Sequence, residues 1–132
     1  MADLTGRGPE FLEFWSERRL ATLSTVRPDG TPHTVPVGVT LDAAAGLARV
    51  ITSGDSHKAR QVLAAGAAGA AVAVCQVDGR RWSTLEGRAL LRADPESVAD
   101  AERRYAERYR TPRVNPRRVV LEIAISRVLG NL

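Results

Sequence analysis

The chain of 132 residues is the size of a single ordinary domain. Its content of 44% hydrophobic and 26% charged residues excludes a disordered chain, a collagen-like repeat and a disulfide-built miniprotein. The net charge of +4 is unevenly distributed, because residues 103–118 hold 7 arginines and 1 glutamate, a net +6, whereas residues 1–102 hold 11 basic and 13 acidic residues. We therefore expect one domain over residues 1–132 with a positive surface formed by its C-terminal part.

The N-terminal half predicts a short helix followed by three strands. Pro9 suits the first turn of a helix, and apolar side chains follow it at helical spacing. Alternating segments on both sides of Asp29-Gly30 indicate a hairpin, because this dipeptide favours tight turns. The predicted elements are a helix over residues 9–19 and strands over residues 20–26, 31–40 and 47–52.

The C-terminal half predicts two further helices and three further strands. Ser56 or Asp55 can cap the first of these helices, and Asp94 can cap the second. The dipeptide Asp78-Gly79 is a second hairpin signal between two extended segments. The predicted elements are helices over residues 57–65 and 95–111 and strands over residues 69–77, 81–92 and 118–125.

Together these elements predict a mainly β fold. Short connections favour antiparallel pairing of the six strands, and a closed sheet hides the strand edges. We therefore expect a six-stranded antiparallel β-barrel with Greek-key links, whose ends are plugged by about three short helices.

Several function classes lack their characteristic motifs. The chain has no glycine-rich Rossmann or Walker loop, no His/Cys cluster with metal-ligand spacing and no nucleophile elbow. Nucleic-acid binding is disfavoured, because the basic residues are almost all Arg and no zinc-finger or RNA-binding motif accompanies them. The lone Cys75 indicates a reducing cytoplasm, and the most apolar stretch, residues 64–77, is too short to cross a membrane. An enzyme of this composition is expected to rely on a bound organic cofactor and no metal.

Residues 51–58 are the most informative segment, since a strand ends and a helix begins within them. The segment holds hydroxyl side chains, Gly54, His57 and the only lysine, Lys58. Free N–H groups at a helix N-terminus attract phosphate, whereas a cation there is disfavoured unless an anion lies nearby. The pattern fits a phosphate-binding site, and it fits equally a capped surface helix with a solvated lysine.

The strand segment at residues 33–39 is apolar yet contains Pro36 and Gly38. Pro36 cannot donate to a strand ladder, and Gly38 allows a backbone or a flat ring to approach closely. Free backbone groups here can pair with the pyrimidine edge of a flavin-like ring and leave the opposite ring face open to substrate. An edge strand protected against aggregation explains the same pattern.

Two arginine-bearing segments are further candidates for ligand binding. Residues 76–82 place two arginines and Trp82 around a hairpin turn, where they can hold carboxylates or stack on a ring. Residues 108–118 are rich in arginine and stiffened by proline, and can reach a cofactor tail or propionates at little ordering cost. Exposed, solubilising segments explain both patterns as well.

Eight short motifs lie along the chain in a characteristic order. They are residues 32–33, 50–52, 58–59, 76–79, 81–82, 85–89, 104–106 and 108–113. In order and spacing they resemble the flavin/deazaflavin split-barrel superfamily that includes pyridoxamine 5′-phosphate oxidase, from about Phe11 to Gly130. Within it the chain resembles the branch that uses the deazaflavin coenzyme F420, in particular the biliverdin reductases, and the run at 108–113 is the most specific motif.

The resemblance implies a homodimer with two cofactor sites between the subunits, each using side chains from both. Arg117 or Arg118 is implied to come from the second subunit. The implied cofactor-binding residues are His33, Thr34, Val35, Pro36, Val37, Ile51, Thr52, Ser56, His57, Lys58, Gln76, Trp82, Arg117 and Arg118. The implied substrate-binding residues are Arg80, Arg81, Arg110 and Arg113.

The activity implied by the resemblance is hydride transfer from reduced F420 to a conjugated substrate, with biliverdin, reduced to bilirubin, as the leading substrate. No side chain is assigned as catalytic, because the hydride comes from the cofactor and the protein positions the two rings. Members that use FMN carry an Arg-Lys pair where this chain has His57-Lys58. The alternatives are an FMN-dependent oxidase or reductase of the same fold, and a non-catalytic protein that binds a flavin, a deazaflavin or haem.

Overall fold

The computed structural model describes residues 3–132 as one antiparallel sheet of seven strands with three α-helices. The strands are β1 (Ala21–Val26), β2 (Pro32–Val37), β3 (Thr40–Asp42), β4 (Leu47–Ser53), β5 (Ala70–Asp78), β6 (Arg81–Arg92) and β7 (Arg118–Gly130). The helices are α1 (Pro9–Phe14), α2 (His57–Ala64) and α3 (Pro95–Arg108), with short 3₁₀ turns at Thr5–Arg7 and Gly66–Ala68. The expected mainly β antiparallel fold with three helices is confirmed.

The two edge strands of the sheet are consecutive in sequence. The strand order is β2-β1-β5-β6-β7-β4-β3, so β2 and β3 lie at opposite edges. β2 ends at Val37 and β3 begins at Thr40, and three residue steps span at most about 10 Å. The sheet therefore curls until its two edges approach each other at residues 38–39, which we call the seam.

The prediction of six strands is wrong, because the seam divides the segment that was expected to form one strand over residues 31–40. The Val39 N–H donates to the Tyr109 hydroxyl (3.1 Å), and the Val39 carbonyl accepts from Arg108 (2.5 Å). Side chains from the end of α3 therefore take the hydrogen bonds that a neighbouring strand would otherwise make. The chain leaves one edge of the sheet at this point and joins the other.

Three other boundaries differ by three residues or more from those expected, and the remaining differences are of one residue. α1 ends at Phe14 rather than residue 19, and α3 ends at Arg108 rather than residue 111. β7 continues to Gly130 rather than residue 125, because its last residues pair with β6 beyond a β-bulge in which Ser126 of β7 is the extra residue. None of the helices in residues 3–132 is long and apolar enough to cross a membrane.

The hydrophobic core fills the inside of the curled sheet. Residues alternate between buried and more exposed along β1, β5 and β6, as expected for strands with one buried face. α1 and the residue after it contribute Phe11, Phe14 and Trp15 to this core, and α2 contributes Val62. The buried Trp15 indole N–H donates to the Ser83 hydroxyl (3.0 Å), so its polar atom is satisfied.

Arg108, the last residue of α3, joins this helix to three separate parts of the barrel. Its guanidinium donates to the carbonyls of Glu17 (2.9 Å) and Val39 (2.5 Å) and to the Gln76 side-chain oxygen (2.6 Å). Gln76 is fully buried, and its amide nitrogen donates to the Phe14 carbonyl (2.8 Å). This set of bonds holds the C-terminal end of α3 against the seam.

Replacing Arg108 by Ala is expected to lower the free energy of unfolding by about 2–4 kcal/mol, because the buried Gln76 amide and the Val39 carbonyl lose a charged donor. Urea denaturation at neutral pH measures this change. Arg110→Ala is the matched control, since Arg110 is exposed, and it should stay within about 0.5 kcal/mol of the wild type. Equal losses in the two variants would contradict the role given to Arg108.

Candidate functional site

A groove of about 530 Å³ opens where the seam, the end of β4, the start of α2 and the loop after α3 meet. We call it the seam groove, and we call residues 109–117, between α3 and β7, the basic loop. Four of the residues lining the groove are cationic, namely Lys58, Arg110, Arg113 and Arg118, and none of the lining residues is acidic. Such a surface attracts an anionic ligand.

The seam groove brings together residues that were predicted from three separate parts of the sequence. They come from the end of β2, the end of β4 with the start of α2, and the basic loop with the start of β7. From the predicted cofactor set the groove contains Pro36, Val37, Ile51, Thr52, Lys58 and Arg118, and from the predicted substrate set it contains Arg110 and Arg113.

Lys58 lies half-buried in the first turn of α2. Burial lowers the pKa of its ammonium group, because desolvation disfavours the charged form, and no carboxylate of residues 3–132 pairs with it to offset this. A bound anion beside Lys58 removes that cost. The electrostatics therefore fit the phosphate-binding interpretation of this segment.

Ser56 is the capping residue of α2. Its side-chain oxygen accepts from the Ala59 N–H (3.2 Å) and from the Thr52 hydroxyl (3.0 Å), which ties the helix start to the end of β4. Asp55, the alternative cap, instead forms an exposed ion pair with Arg117 (3.2 Å). Ser56 and Arg117 lie next to residues that line the groove, but they do not line it themselves.

Arg118 fixes the basic loop. Its side chain is only 10% exposed, and its guanidinium pairs with Glu102 of α3 (2.7 Å) and donates to the Arg113 carbonyl (2.7 Å). At the other side the Gly54 N–H donates to the Arg117 carbonyl (2.8 Å). The loop is therefore anchored to α3 and to the turn before α2, and the groove lies between these anchors.

Tyr105 of α3 contributes an aromatic side chain to the seam groove. A Cβ atom at Gly38 would lie 2.7 Å from Tyr105 Cε2 and 3.1 Å from Tyr109 Cε2, so a side chain at this position would displace the Tyr105 ring. The two ring centroids are 4.9 Å apart. The close approach expected at Gly38 is therefore made by the Tyr105 and Tyr109 rings of the same chain.

The first half of β2 and the first residue of α2 lie outside the groove lining. Thr34 shares a hydrogen bond with Ser24 (3.0 Å), and Val35 packs against the core. The rings of His33 and His57 lie edge to face with their centroids 6.1 Å apart. Within residues 3–132, no group of three or more His, Cys, Asp or Glu side chains is placed to hold a metal ion.

The hairpin between β5 and β6 also lies outside the groove lining. Arg81 pairs with Glu17 (3.1 Å) and with Asp78, and its guanidinium lowers the pKa of both carboxyl groups. Arg80 and Trp82 are exposed. Gln76 is buried with both ends of its amide bonded, so this side chain has a structural role here and its predicted cofactor contact gains no support from the geometry.

Six lining residues are absent from the predicted set. Those in the loop follow Arg110 in a segment whose arginine and proline content predicts ligand binding, whereas the place of Tyr105 depends on how α3 packs across the seam. The six are Gly38, Ser53, Tyr105, Thr111, Pro112 and Asn115.

The chain matches a known protein family and is similar to a relative of named activity. Residues 8–131 match the family model described as Pyridoxamine 5′-phosphate oxidase. The chain is 57% identical over 120 residues to the F420H(2)-dependent biliverdin reductase of Mycobacterium tuberculosis (strain CDC 1551 / Oshkosh), which covers 91% of this chain and 85% of the relative.

Two solved structures illustrate the shared fold. An F420 reductase has a TM-score of 0.71 at 23% identity, with 89% of this chain and 94% of that chain covered. A conserved hypothetical protein of Mycobacterium tuberculosis has a TM-score of 0.78 at 24% identity, with 98% and 87% covered. At such identities the likeness concerns the fold alone.

Replacing Lys58 by Met is expected to stabilise the ligand-free protein at pH 7, because the variant no longer buries an unpaired charge. The folded-state pKa of Lys58 lies below the ordinary value of 10.5, so the cost is present below the lowered pKa and disappears as the pH rises towards 10.5. The difference in Tm between variant and wild type should therefore shrink from pH 7 to pH 10.

Arg60→Met is the matched control for this measurement, since Arg60 is an exposed cation on the same helix. It should show no such stabilisation at pH 7. A Lys58→Met variant that is less stable than the wild type at pH 7 would contradict the electrostatic account.

Proposed function

The chain belongs to the pyridoxamine 5′-phosphate oxidase family, and we propose that it is a reductase that uses reduced F420 to convert biliverdin to bilirubin. The observation that carries this proposal is the 57% identity, over 91% of the chain, to a protein named for that activity. The seam groove supports it independently, because a site with four cations and no acidic residue suits an anionic cofactor and a substrate with carboxylates.

The groove fits a phosphorylated ring cofactor. Lys58 and the N–H groups at the start of α2 suit its phosphate. β2 is an edge strand, so free backbone groups on its outer side, near Pro36 and Val37, are available to the pyrimidine edge of the ring. Bound there, reduced F420 supplies the hydride.

The contribution of the protein is to position the two rings and to balance their charge. Arg110 and Arg113 lie on the basic loop where propionates of the substrate can pair with them. Hydride transfer requires donor and acceptor carbons about 3–3.5 Å apart, so an accessible ring face matters more than an acid/base pair. We assign no side chain as catalytic.

We further propose that the chain works as one cofactor-binding domain in the cytoplasm. All seven strands belong to a single sheet, and the family model spans residues 8–131 without a break between domains. Cys75 is free, which suits a reducing compartment.

The activity is tested by mixing the purified protein with reduced F420 and biliverdin. The biliverdin absorbance band should disappear while oxidised F420 appears in equal amount. Parallel titrations with F420 and FMN separate the two cofactor alternatives, and Lys58→Met should weaken F420 binding by about 1.5–3 kcal/mol while Arg60→Met leaves it unchanged. A biliverdin band that stays unchanged, with no oxidised F420 formed at any protein concentration, would overturn the proposed function.

We also propose that the protein is a homodimer that pairs through the outer face of β5, β6 and β7. Val77 and Trp82 are cross-strand partners on that face, with exposed fractions of 61% and 39%, and Leu129 is 39% exposed. Contiguous exposed apolar side chains mark association surfaces. In such a dimer Trp82, which does not line the groove of its own chain, is available to the groove of the partner.

Val77→Arg is expected to shift the protein from dimer to monomer, because it places a charge in the apolar centre of this face. Sedimentation velocity measures the change. Leu63→Arg is the matched control, since Leu63 on α2 has a similar exposed fraction of 66% and lies outside the face. A dimer that survives Val77→Arg as well as Leu63→Arg contradicts this placement of the interface.

A further inference from the structure

A second cavity of about 700 Å³ lies between α3 and the basic loop and shares several loop residues with the seam groove. We propose that this outer cavity binds a terminal ring of the linear tetrapyrrole substrate, while Arg113 binds a propionate at the boundary between the two cavities. The inference rests on the proposed function and adds to it the place where the substrate extends beyond the cofactor.

The outer cavity has a mostly apolar lining and the volume of a small-molecule site, which commonly lies in the range of about 300–1,000 Å³. Val114, on the loop, is 99% exposed. Covering it with an apolar ring removes that surface from water. The apolar residues come from α3 and from the loop, namely Val98, Ala99 and Ala106, and Pro112, Val114 and Pro116.

The charges around the outer cavity leave one arginine available at the boundary. Arg103 pairs with Asp100 and Glu107 on its own helix. Arg118, which lines both cavities, is held by Glu102.

Arg113 also lines both cavities. Its side chain is exposed and forms no ion pair with a carboxylate of residues 3–132, so its charge is free for a ligand.

The groups of biliverdin occur in the same order as the seam groove, Arg113 and the outer cavity. Its two propionates are on the two central rings, next to the methine carbon that accepts the hydride, and its terminal rings carry small apolar substituents. With the methine carbon in the seam groove, a propionate reaches the boundary at Arg113 and a terminal ring reaches the apolar cavity beyond. One substrate molecule therefore uses both cavities.

The test is to fill the outer cavity without touching the seam groove. Ala99 is exposed on α3 and lines only the outer cavity, so Ala99→Trp occupies it with little effect on folding. Titration of the cofactor-free protein with biliverdin, followed by absorbance, should show a Kd raised by about tenfold or more, while the Kd for F420 stays within about twofold. Ala67→Trp, at another exposed alanine, is the control and should leave both constants unchanged.

A second variant tests the boundary. Arg113→Gln should raise the Kd for biliverdin by about fivefold or more and leave the Kd for its dimethyl ester within about twofold. A biliverdin Kd that Ala99→Trp does not change overturns the outer cavity as a subsite, even if the protein still reduces biliverdin. Failure of the wild-type protein to bind or reduce biliverdin overturns the proposed function, and this inference with it.

Discussion

The contact between Arg108 and the seam is the interaction on which the site depends. A sheet whose edge strands are only two residues apart in sequence must be closed at that point, and its backbone there has no neighbouring strand to bond with. Arg108 and Tyr109 supply those bonds from the end of α3. Because the same guanidinium also bonds to the buried Gln76, closure of the barrel and placement of α3 form one cooperative unit.

The position of α3 in turn shapes the candidate ligand site. With its last turn held at the seam, Tyr105 packs over Gly38 and the basic loop starts beside the end of β2. The ion pair between Arg118 and Glu102 of α3 anchors the end of the loop, and Arg110 and Arg113 lie along the groove. A rigid scaffold of strands and helix thus presents a loop for binding, an arrangement common in enzymes.

The distribution of ion pairs decides which positive charges remain available. Arg49 and Arg104 lie among Asp42 and Asp100, where α3 packs on the sheet, and Arg81 is held by two carboxylates. These arginines stabilise contacts within the chain. Arg110 and Arg113 of the basic loop and Lys58 line a groove with no acidic residue, so these positive charges lie where an anionic cofactor and a dicarboxylate substrate can use them.

Local signals in the sequence were sufficient for most of the elements and for two of the segments that meet at the site. The cap at Ser56, the hairpin at Asp78-Gly79 and the proline-marked start of α3 depend on residues close in sequence, and β6 was predicted with its observed bounds. Lys58 and the basic loop stood out because their charges are unusual for their positions. The family resemblance added the ends of β2 and β4.

Only the tertiary structure decided how the chain passes from one sheet edge to the other at Gly38 and Val39, because that break depends on side chains about 70 residues away. It also decided that Gln76 is buried, that Arg81 is paired internally and that Tyr105 lines the groove. Burial and pairing are set by long-range contacts, and a sequence pattern records which side chains are present without recording which partners they meet.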